Sequence, residues 1–145
     1  MPGASTCFIC RKQAGKEEPP PGGYIFKGKH FAACHAPREL GTAGTMVIES
    51  RRHFLDFGEM KSAEGARLTS LLKRLFPAIK QATQAERVYS LAMMDGVPHF
   101  HLWLVPWKKD EPFRGVTYLA SEHQLPSIEE VELTVRSIRR TLNSS

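Results

Sequence analysis

Two histidines at alternate positions, His99 and His101, are the residues of this sequence best placed to do chemistry. They lie in residues 97–106, where apolar side chains alternate with them, a pattern typical of a β-strand. Every second side chain on a strand points to the same face, so His99, His101 and Trp103 share one face. Neighbouring members of this row are about 6.7 Å apart along the strand. Imidazole is both a metal ligand and a nucleophile near neutral pH. One histidine can therefore hold a metal while the other reacts, although the pair would also fit a half-exposed polar row.

The composition is that of an ordinary soluble protein, with 41% hydrophobic and 24% charged residues. A length of 145 residues predicts a single domain over residues 1–145. No apolar run approaches the roughly 20 residues of a membrane span, and the N-terminus lacks signal-peptide features, so we expect a cytoplasmic protein with no membrane partner. The net charge of +5 is spread along the chain, and nucleic-acid binding is not indicated.

Cys7 and Cys10 form a Cys-x-x-Cys pair, which supplies half of a tetrahedral zinc site or a redox dithiol. The redox version usually opens a helix after a strand, and no strand is predicted before Cys7, so the spacing favours a metal. Three cysteines, an odd number, argue against a disulfide scaffold. Cys34 and His35 are adjacent and would point apart on a strand, which favours structural roles for both.

Short strands are predicted at residues 24–26, 30–34, 45–49 and 86–93, and the first two form a hairpin. A tight turn at Asp95 and Gly96 would return the chain from the fourth strand into the histidine strand, so these two strands should pair antiparallel.

Two helices are predicted. One is N-capped by Ser62 and carries an apolar stripe through Ile79, and Pro77 should kink or end it. The other begins at a capping box, Ser127 to Glu130, near the C-terminus. Residues 107–116 between the histidine strand and the last helix are predicted to be a surface loop.

Cys7, Cys10, His53 and His99 together make a Cys2His2 set, the ligand types that zinc prefers. Four protein ligands would close the coordination shell, so the metal would be structural and would tie the N-terminus to the sheet. His101 remains free beside it.

The sequence resembles the histidine triad (HIT) superfamily, whose signature is three histidines at alternate strand positions followed by apolar residues. Here it stands as HFHLWLVP at residues 99–106. Residues 44–53, which end in Arg51, Arg52 and His53, look like the strand of that family that leads into an Arg-His turn. The similarity extends over most of the chain in the same order.

The resemblance implies an α+β fold with a central antiparallel sheet, a long helix and a C-terminal helix, in a homodimer whose sheets join. It also implies attack by His101 on the α-phosphorus of a nucleotide or dinucleoside polyphosphate. The resulting nucleotidyl-histidine would pass its nucleotidyl group to water or to another phosphate acceptor. Cys7, Cys10, His53 and His99 match the ligands of a structural zinc in the zinc-binding members.

The chain departs from the family pattern at three places. Trp103 replaces the third histidine, and its indole N–H can donate a hydrogen bond but cannot accept a proton. Residues 94–97 replace a Gly-Gln-Ser segment, and Cys34 stands where an acidic residue often holds the ribose. We therefore predict a nucleotide hydrolase or nucleotidyltransferase, with a non-catalytic nucleotide- or partner-binding protein as the alternative. Trp103, Arg51 and Arg52 are the predicted phosphate contacts.

Overall fold

Five strands form one antiparallel sheet in the computed structural model, which describes residues 5–144. The strands are β1 (Tyr24–Lys27), β2 (Phe31–His35), β3 (Met46–Ser50), β4 (Arg87–Leu91) and β5 (His101–Trp107), in the order β1-β2-β3-β5-β4. The helices are α1 (Phe8–Gln13), α2 (Ser62–Thr83), α3 (Gly115–Ala120) and α4 (Ile128–Ser144). The predicted α+β class and central antiparallel sheet are confirmed.

Residues 1–4, part of the N-terminus from which the absence of a signal peptide was predicted, lie outside the described range. Among the described helices, none has the length and apolar character that a bilayer span needs.

The inner face of the sheet packs against α2 and α4. Leu71, Leu75 and Ile79 of α2 and Val135 and Ile138 of α4 are all buried there with apolar residues of the strands. Burying a large aliphatic side chain stabilises a fold by about 1.5–3 kcal/mol. The apolar stripes along the two helices therefore fix which face of the sheet they cover.

Pro77 was expected to kink or end the long helix; it does not end it, and α2 continues as one helix to Thr83. A proline inside a helix costs about 3 kcal/mol through a lost amide donor and a steric clash. The next turn buries Ala78 and Ile79 completely, and that burial offsets much of the cost. The helix begins at Ser62 with Lys61 as N-cap, one residue before the predicted cap.

The histidine strand begins later than expected. β5 starts at His101, and residues 92–100 form a long connection from β4 instead of a tight turn at Asp95 and Gly96. Pro98 has no amide hydrogen for a ladder, which is one reason why the regular strand cannot start there. The predicted antiparallel pairing of β4 with β5 is confirmed, with Leu91 opposite Trp103. His99 therefore lies just before the strand.

Two short helices of the structure were not predicted from the sequence. α1 follows Cys7 directly, and α3 occupies part of the predicted loop at residues 107–116. Trp107 belongs to β5 and is buried, and its indole N–H donates to the Phe113 carbonyl at 2.8 Å. Helices this short carry too little apolar periodicity to be recognised from sequence.

The outer face of the sheet, opposite α2 and α4, carries the histidine row. The register places Cys34 beside Val47 and Val47 beside Trp103, while Glu49 lies opposite His101. Residues directly opposite each other on neighbouring strands share a face. Glu49, a charged residue, is therefore next to His101 on this face.

Glu49 is held by a buried polar network that attaches α1 to the outer face. Its carboxylate accepts hydrogen bonds from Lys12 at 2.6 Å, Tyr24 at 2.9 Å and Gln13 at 3.2 Å. The Cys34 thiol lies 3.7 Å from the same carboxylate. Burial acts to lower the pKa of Lys12, but its interactions with Cys34 and with the Glu49 carboxylate outweigh burial and raise that pKa, so Lys12 stays charged.

Replacing Lys12 by Met should leave the Glu49 carboxylate buried without its cation. The side chains of Lys12 and Glu49 are only 10% and 2% exposed, so we expect the variant to lose about 3–5 kcal/mol of unfolding free energy. Denaturant unfolding followed by circular dichroism measures this loss.

The double variant Lys12→Met/Glu49→Leu should recover most of that stability, because it removes the uncompensated charge. The control is Lys16→Met, an exposed lysine that should change stability by less than about 0.5 kcal/mol. Equal stability of Lys12→Met and Lys16→Met would contradict the account.

Candidate functional site

The pairing of β3 with β5 brings His53 and His99 together, although 46 positions separate them. The Ser50 amide donates to the Phe100 carbonyl at 3.1 Å, and the Phe100 amide donates to the Phe54 carbonyl at 2.7 Å. These two bonds hold the end of β3 and the residues after it against the chain that enters β5. Both imidazoles are thereby directed to the same point.

Helix α1 brings the two cysteines to that point. Cys7 is its N-cap, and the Cys7 sulfur accepts the Cys10 amide hydrogen at 3.5 Å. Cys7 is buried and Cys10 is half-buried. Of the surroundings expected for a redox pair, the helix that follows Cys7 is present, and the two described residues before Cys7 form no strand.

Four donor atoms converge in this cluster of Cys7, Cys10, His53 and His99, and all of them lie within 4.8 Å of one another. The Nδ1 atom of His99 lies 3.3 Å from the Cys7 sulfur, 3.5 Å from the Cys10 sulfur and 3.1 Å from Nδ1 of His53. The Cys10 sulfur lies 3.5 Å from Nδ1 of His53. The structure thus brings together all four residues that the sequence suggested as metal ligands.

The geometry of this cluster fits zinc. A tetrahedral zinc with bonds of about 2.0–2.3 Å needs donor atoms about 3.3–3.8 Å apart, and the four separations given above, 3.1–3.5 Å, are close to that range. His99 is also in the tautomer that a ligand needs, because its Nε2–H donates to the Ser50 carbonyl at 2.8 Å and leaves a lone pair on Nδ1. Among the described residues, the cluster therefore has the donor types, spacing and orientation of a closed tetrahedral site.

Without a cation, Cys10 and His99 of the cluster favour their neutral forms. Burial raises the pKa of Cys10 to about 11, and the hydrogen bond and charge of Cys7 act in the same direction. Burial also lowers the pKa of His99 below its usual value, and the neighbouring His53 and His101 lower it further, against the hydrogen bond to Ser50. A metal cation would reverse the preference at the thiols by stabilising thiolates.

His101 lies beside the cluster with one ring nitrogen occupied. Its Nδ1–H donates to the backbone carbonyl of His99 at 2.7 Å, which leaves the lone pair on Nε2. The ring is half-buried on the outer face. A neutral imidazole held in this way has a defined tautomer, a fixed orientation and an accessible nucleophilic atom.

Trp103 and Arg51 also belong to the outer face. Trp103 follows His101 by two positions, is half-buried and packs near Val47. Burial and the Glu49 carboxylate raise the pKa of Tyr24, and the charge of Arg51, which is exposed directly after β3, opposes that rise. Both stay candidates for contact with an anionic ligand.

Arg52 has a structural partner instead. Its guanidinium makes two hydrogen bonds to the buried Glu64 carboxylate, at 2.8 and 3.0 Å, and lies 4.4 Å from the Phe54 ring centroid. The hydrogen bond from Arg52 lowers the pKa of Glu64 against its burial. These contacts favour a role for Arg52 in attaching the segment after β3 to α2, not in phosphate binding.

Cys34 and His35 lie away from the cluster, in keeping with the structural roles favoured for them. Burial raises the pKa of the Cys34 thiol to about 12, and the Glu49 carboxylate raises it further. His35 uses both ring nitrogens, donating to the Ala36 carbonyl at 2.6 Å and accepting the Gly44 amide at 2.9 Å.

Two residues near the site were not identified from the sequence. Glu49 interrupts an apolar strand, and a lone carboxylate in such a strand is a signal that could have revealed it. Ser50, whose carbonyl fixes the His99 tautomer, gives no such signal because any residue supplies a carbonyl.

No family model matches this sequence, and no curated protein matches it either. Solved structures do. A zinc-bound histidine triad family protein from Mycobacterium smegmatis is 18% identical with a TM-score of 0.74, covering 98% of this chain and 96% of that one. A hypothetical histidine triad nucleotide-binding protein from Sulfolobus tokodaii is also 18% identical with a TM-score of 0.74, covering 95% of this chain and 93% of its own.

A HIT-like protein involved in cell-cycle regulation from Bartonella henselae is 10% identical, with a TM-score of 0.73 over 94% of this chain and 96% of that one. The TM-scores demonstrate a common fold, and at such low sequence identity they demonstrate the fold alone. The structural similarity covers nearly the whole chain in all three cases. The resemblance seen in the sequence is thus confirmed in three dimensions. The chain has the fold of the histidine triad proteins.

Proposed function

We propose that this protein is a nucleotide hydrolase or nucleotidyltransferase of the histidine triad type, with His101 as its nucleophile and a structural zinc. One observation carries the proposal, namely the hydrogen bond from Nδ1 of His101 to the His99 carbonyl, which leaves Nε2 free to attack. The fold places this ring on the outer face, where a substrate can reach it.

The reaction proceeds in two displacements at the α-phosphorus. Nε2 of His101 forms a bond to phosphorus while the bond to the leaving group breaks, and the leaving group departs with that electron pair. Water or another acceptor then attacks phosphorus, the P–N bond breaks with its electron pair returning to Nε2, a proton of the attacking water passes to solvent, and neutral His101 is restored. The His99 carbonyl holds the Nδ1 proton throughout and stabilises the positive charge on the ring.

Charge stabilisation around the phosphate falls to donors on the outer face, since phosphoryl-type transfer depends mainly on positioning and electrostatics. Arg51 offers a cation there, and the Trp103 indole offers one N–H. Glu49 opposite His101 is neutralised by Lys12, so it does not repel an anionic substrate with a full charge.

A cleft of about 490 Å³ next to α1 is suited to the nucleoside. Its lining includes Lys12, which contacts Glu49, and Phe8, whose ring is 48% exposed and can stack on a base. The volume lies in the range of about 300–1,000 Å³ that small-molecule sites occupy.

Cys7, Cys10, His53 and His99 would hold the zinc. Four protein ligands complete a tetrahedral shell, so the metal supplies a structural cross-link and no open position for a reacting water. The cross-link joins α1, the segment after β3 and the entry to β5, and therefore fixes His99, whose carbonyl orients His101.

The homodimer that the resemblance implies would form at an edge of the sheet. The strand order leaves β1 and β4 at the two edges, where unpaired backbone groups can hydrogen-bond to a second copy.

The alternative, a binding protein without turnover, is favoured by one feature. Trp103 cannot give a proton to a leaving group, because its indole N–H does not ionise near neutral pH. The alternative predicts nucleotide binding with no release of product.

Replacing His101 by Ala should abolish turnover, since no other group in the described site offers a comparable nucleophile. We expect kcat to fall at least about 1,000-fold for a nucleoside phosphoramidate or a dinucleoside polyphosphate. Acid-quenched incubation with α-labelled substrate should also show label on the wild-type protein but not on the variant. His30→Ala, on the turn after β1, is the control and should keep both signals, whereas full activity in His101→Ala would disprove the assignment.

Replacing Cys10 by Ser should remove one zinc ligand. Elemental analysis of the wild-type protein purified with zinc should give about one zinc per chain, and the variant should bind zinc more than about 100-fold more weakly and melt at a lower temperature. Cys34→Ser, which changes a buried thiol outside the cluster, should retain zinc. Zinc retained at full stoichiometry by Cys10→Ser would contradict the proposed ligand set.

A further inference from the structure

We propose that a cleft on the helix side of the sheet, opposite the histidine row, binds a chain of linked phosphate groups. The cleft lies between the β1–β2 hairpin and α2 and has a volume of about 310 Å³. Leu71 of α2, which packs on the inner face of the sheet, forms part of its lining. The cleft shares no lining residue with the one assigned to the nucleoside, so it would be a second ligand site, and it does not depend on the proposed function.

Three cationic side chains line the cleft from two elements of the fold. Lys29 comes from the hairpin turn, and Arg67 and Arg74 come from α2. Of the described residues that line the cleft, none is Asp or Glu, and neither Lys29 nor Arg67 makes an ion pair with any described residue. Like charges gathered without counter-charges repel one another, and a bound anion removes that repulsion.

The spacing along α2 indicates the kind of anion. Arg67, Ser70 and Arg74 are three and four positions apart, so they lie on one side of the helix. The two arginines stand about 10.5 Å apart along the helix axis, with the Ser70 hydroxyl between them. Guanidinium groups bind phosphate oxygens through parallel N–H donors. Cations spread over two helical turns, with Lys29 across the cleft, match a chain of linked phosphates better than a single phosphate ion.

Both walls of the cleft are held in place by hydrogen bonds to other parts of the fold. The His30 carbonyl accepts the Arg51 amide hydrogen at 2.9 Å, which attaches the hairpin turn to the chain after β3. On the other wall, the Arg74 guanidinium donates to the Leu142 carbonyl of α4 at 2.5 Å. A site whose walls are already ordered loses less conformational entropy when a ligand binds.

The cleft lies on a strongly cationic part of the molecule. Residues 24–31, 61–83 and 134–144, which form the hairpin, α2 and the second half of α4, carry ten Lys or Arg residues and one carboxylate, Glu64. Glu64 is itself paired with Arg52. The rest of the chain carries ten Lys or Arg residues and fourteen Asp or Glu residues. Charge that is spread along the sequence is thus concentrated around this cleft, where its field attracts anions.

The size and lining of the cleft favour a small ligand over a nucleic acid. Its volume is near the lower end of the range of about 300–1,000 Å³ that small-molecule sites occupy. Its two aromatic side chains, Phe26 and Phe31, are half-buried and buried, whereas a single strand needs exposed rings on which its bases stack. Linked phosphates occur in inorganic polyphosphate and in nucleoside triphosphates, and both present the same chemistry to these cations.

The test is a titration of the zinc-loaded, nitrogen-15-labelled protein with inorganic tripolyphosphate in about 150 mM salt, followed through the backbone amide signals. The signals of Lys29 and of residues 67–74 should shift until they saturate. A parallel titration with adenosine triphosphate distinguishes the two sources of linked phosphates. Tighter binding of tripolyphosphate at these signals indicates the inorganic chain and tighter binding of adenosine triphosphate indicates a nucleotide, and either supports the site.

Arg67→Gln should weaken the binding of tripolyphosphate about tenfold, because it removes a charge-assisted contact. Glutamine favours helices as well as arginine does, so the fold should be retained. Lys29→Gln should have a similar effect from the hairpin. The matched control is Lys73→Gln, which removes the same charge from an exposed position of α2 that does not line the cleft. It should change the affinity by less than about twofold, since salt screens distant charges.

Equal weakening by Arg67→Gln and Lys73→Gln would show a diffuse attraction in place of a site and would overturn the proposal. Binding that is unaffected by Arg67→Gln but lost in Arg51→Gln would place the phosphates on the outer face and overturn it as well. Arg67-dependent binding of a single strand of about twelve nucleotides that is tighter than binding of tripolyphosphate would assign the cleft to nucleic acid instead. The absence of saturable shifts at the hairpin and α2 would leave no second site, whatever the result of the His101→Ala experiment.

Discussion

His99 is the residue on which the geometry of this site depends, because its side chain belongs to the cluster while its backbone carbonyl orients His101. Its imidazole enters the cluster with Cys7, Cys10 and His53, and its backbone carbonyl accepts the Nδ1 hydrogen of His101 at 2.7 Å. A shift of His99 would therefore disturb the cluster and the orientation of the nucleophile together. A metal at the cluster would hold His99 in place and so fix both, although it lies outside the reaction itself.

The sheet and α1 position His99 from two sides. On one side, the hydrogen bonds that continue the β3–β5 pairing hold the chain around Phe100. On the other side, α1 carries both cysteines and is attached through Lys12 to the buried Glu49. Two unlike interactions, the Cys and His cluster at the start of α1 and an ion pair at its end, thus hold one short helix that could not be stable alone.

Sequence patterns identified the four residues of the cluster and the candidate nucleophile because these depend on residue type and spacing. These residues can be recognised even when a strand boundary is predicted wrongly by a few positions. Examples are the alternating His99 and His101 and the Cys7–Cys10 pair. What the sequence did not reveal depends on tertiary contacts. β5 begins only at His101, α2 continues through Pro77 because the following turn is buried, and Arg52 is drawn to Glu64. No local sequence pattern encodes these features, because each depends on contacts with residues elsewhere in the chain.

The tautomers of His99 and His101 decide whether His101 can act as the nucleophile. Long-range proton–nitrogen correlation spectra of the zinc-loaded, nitrogen-15-labelled protein distinguish a protonated ring nitrogen from a bare one, and His101→Asn and His30→Asn variants assign the signals. We predict that His101 carries its proton on Nδ1 and that His99 carries its proton on Nε2, with Nδ1 bound to metal. A proton on Nε2 of His101 would contradict it, because the nitrogen proposed to attack phosphorus would then have no free lone pair.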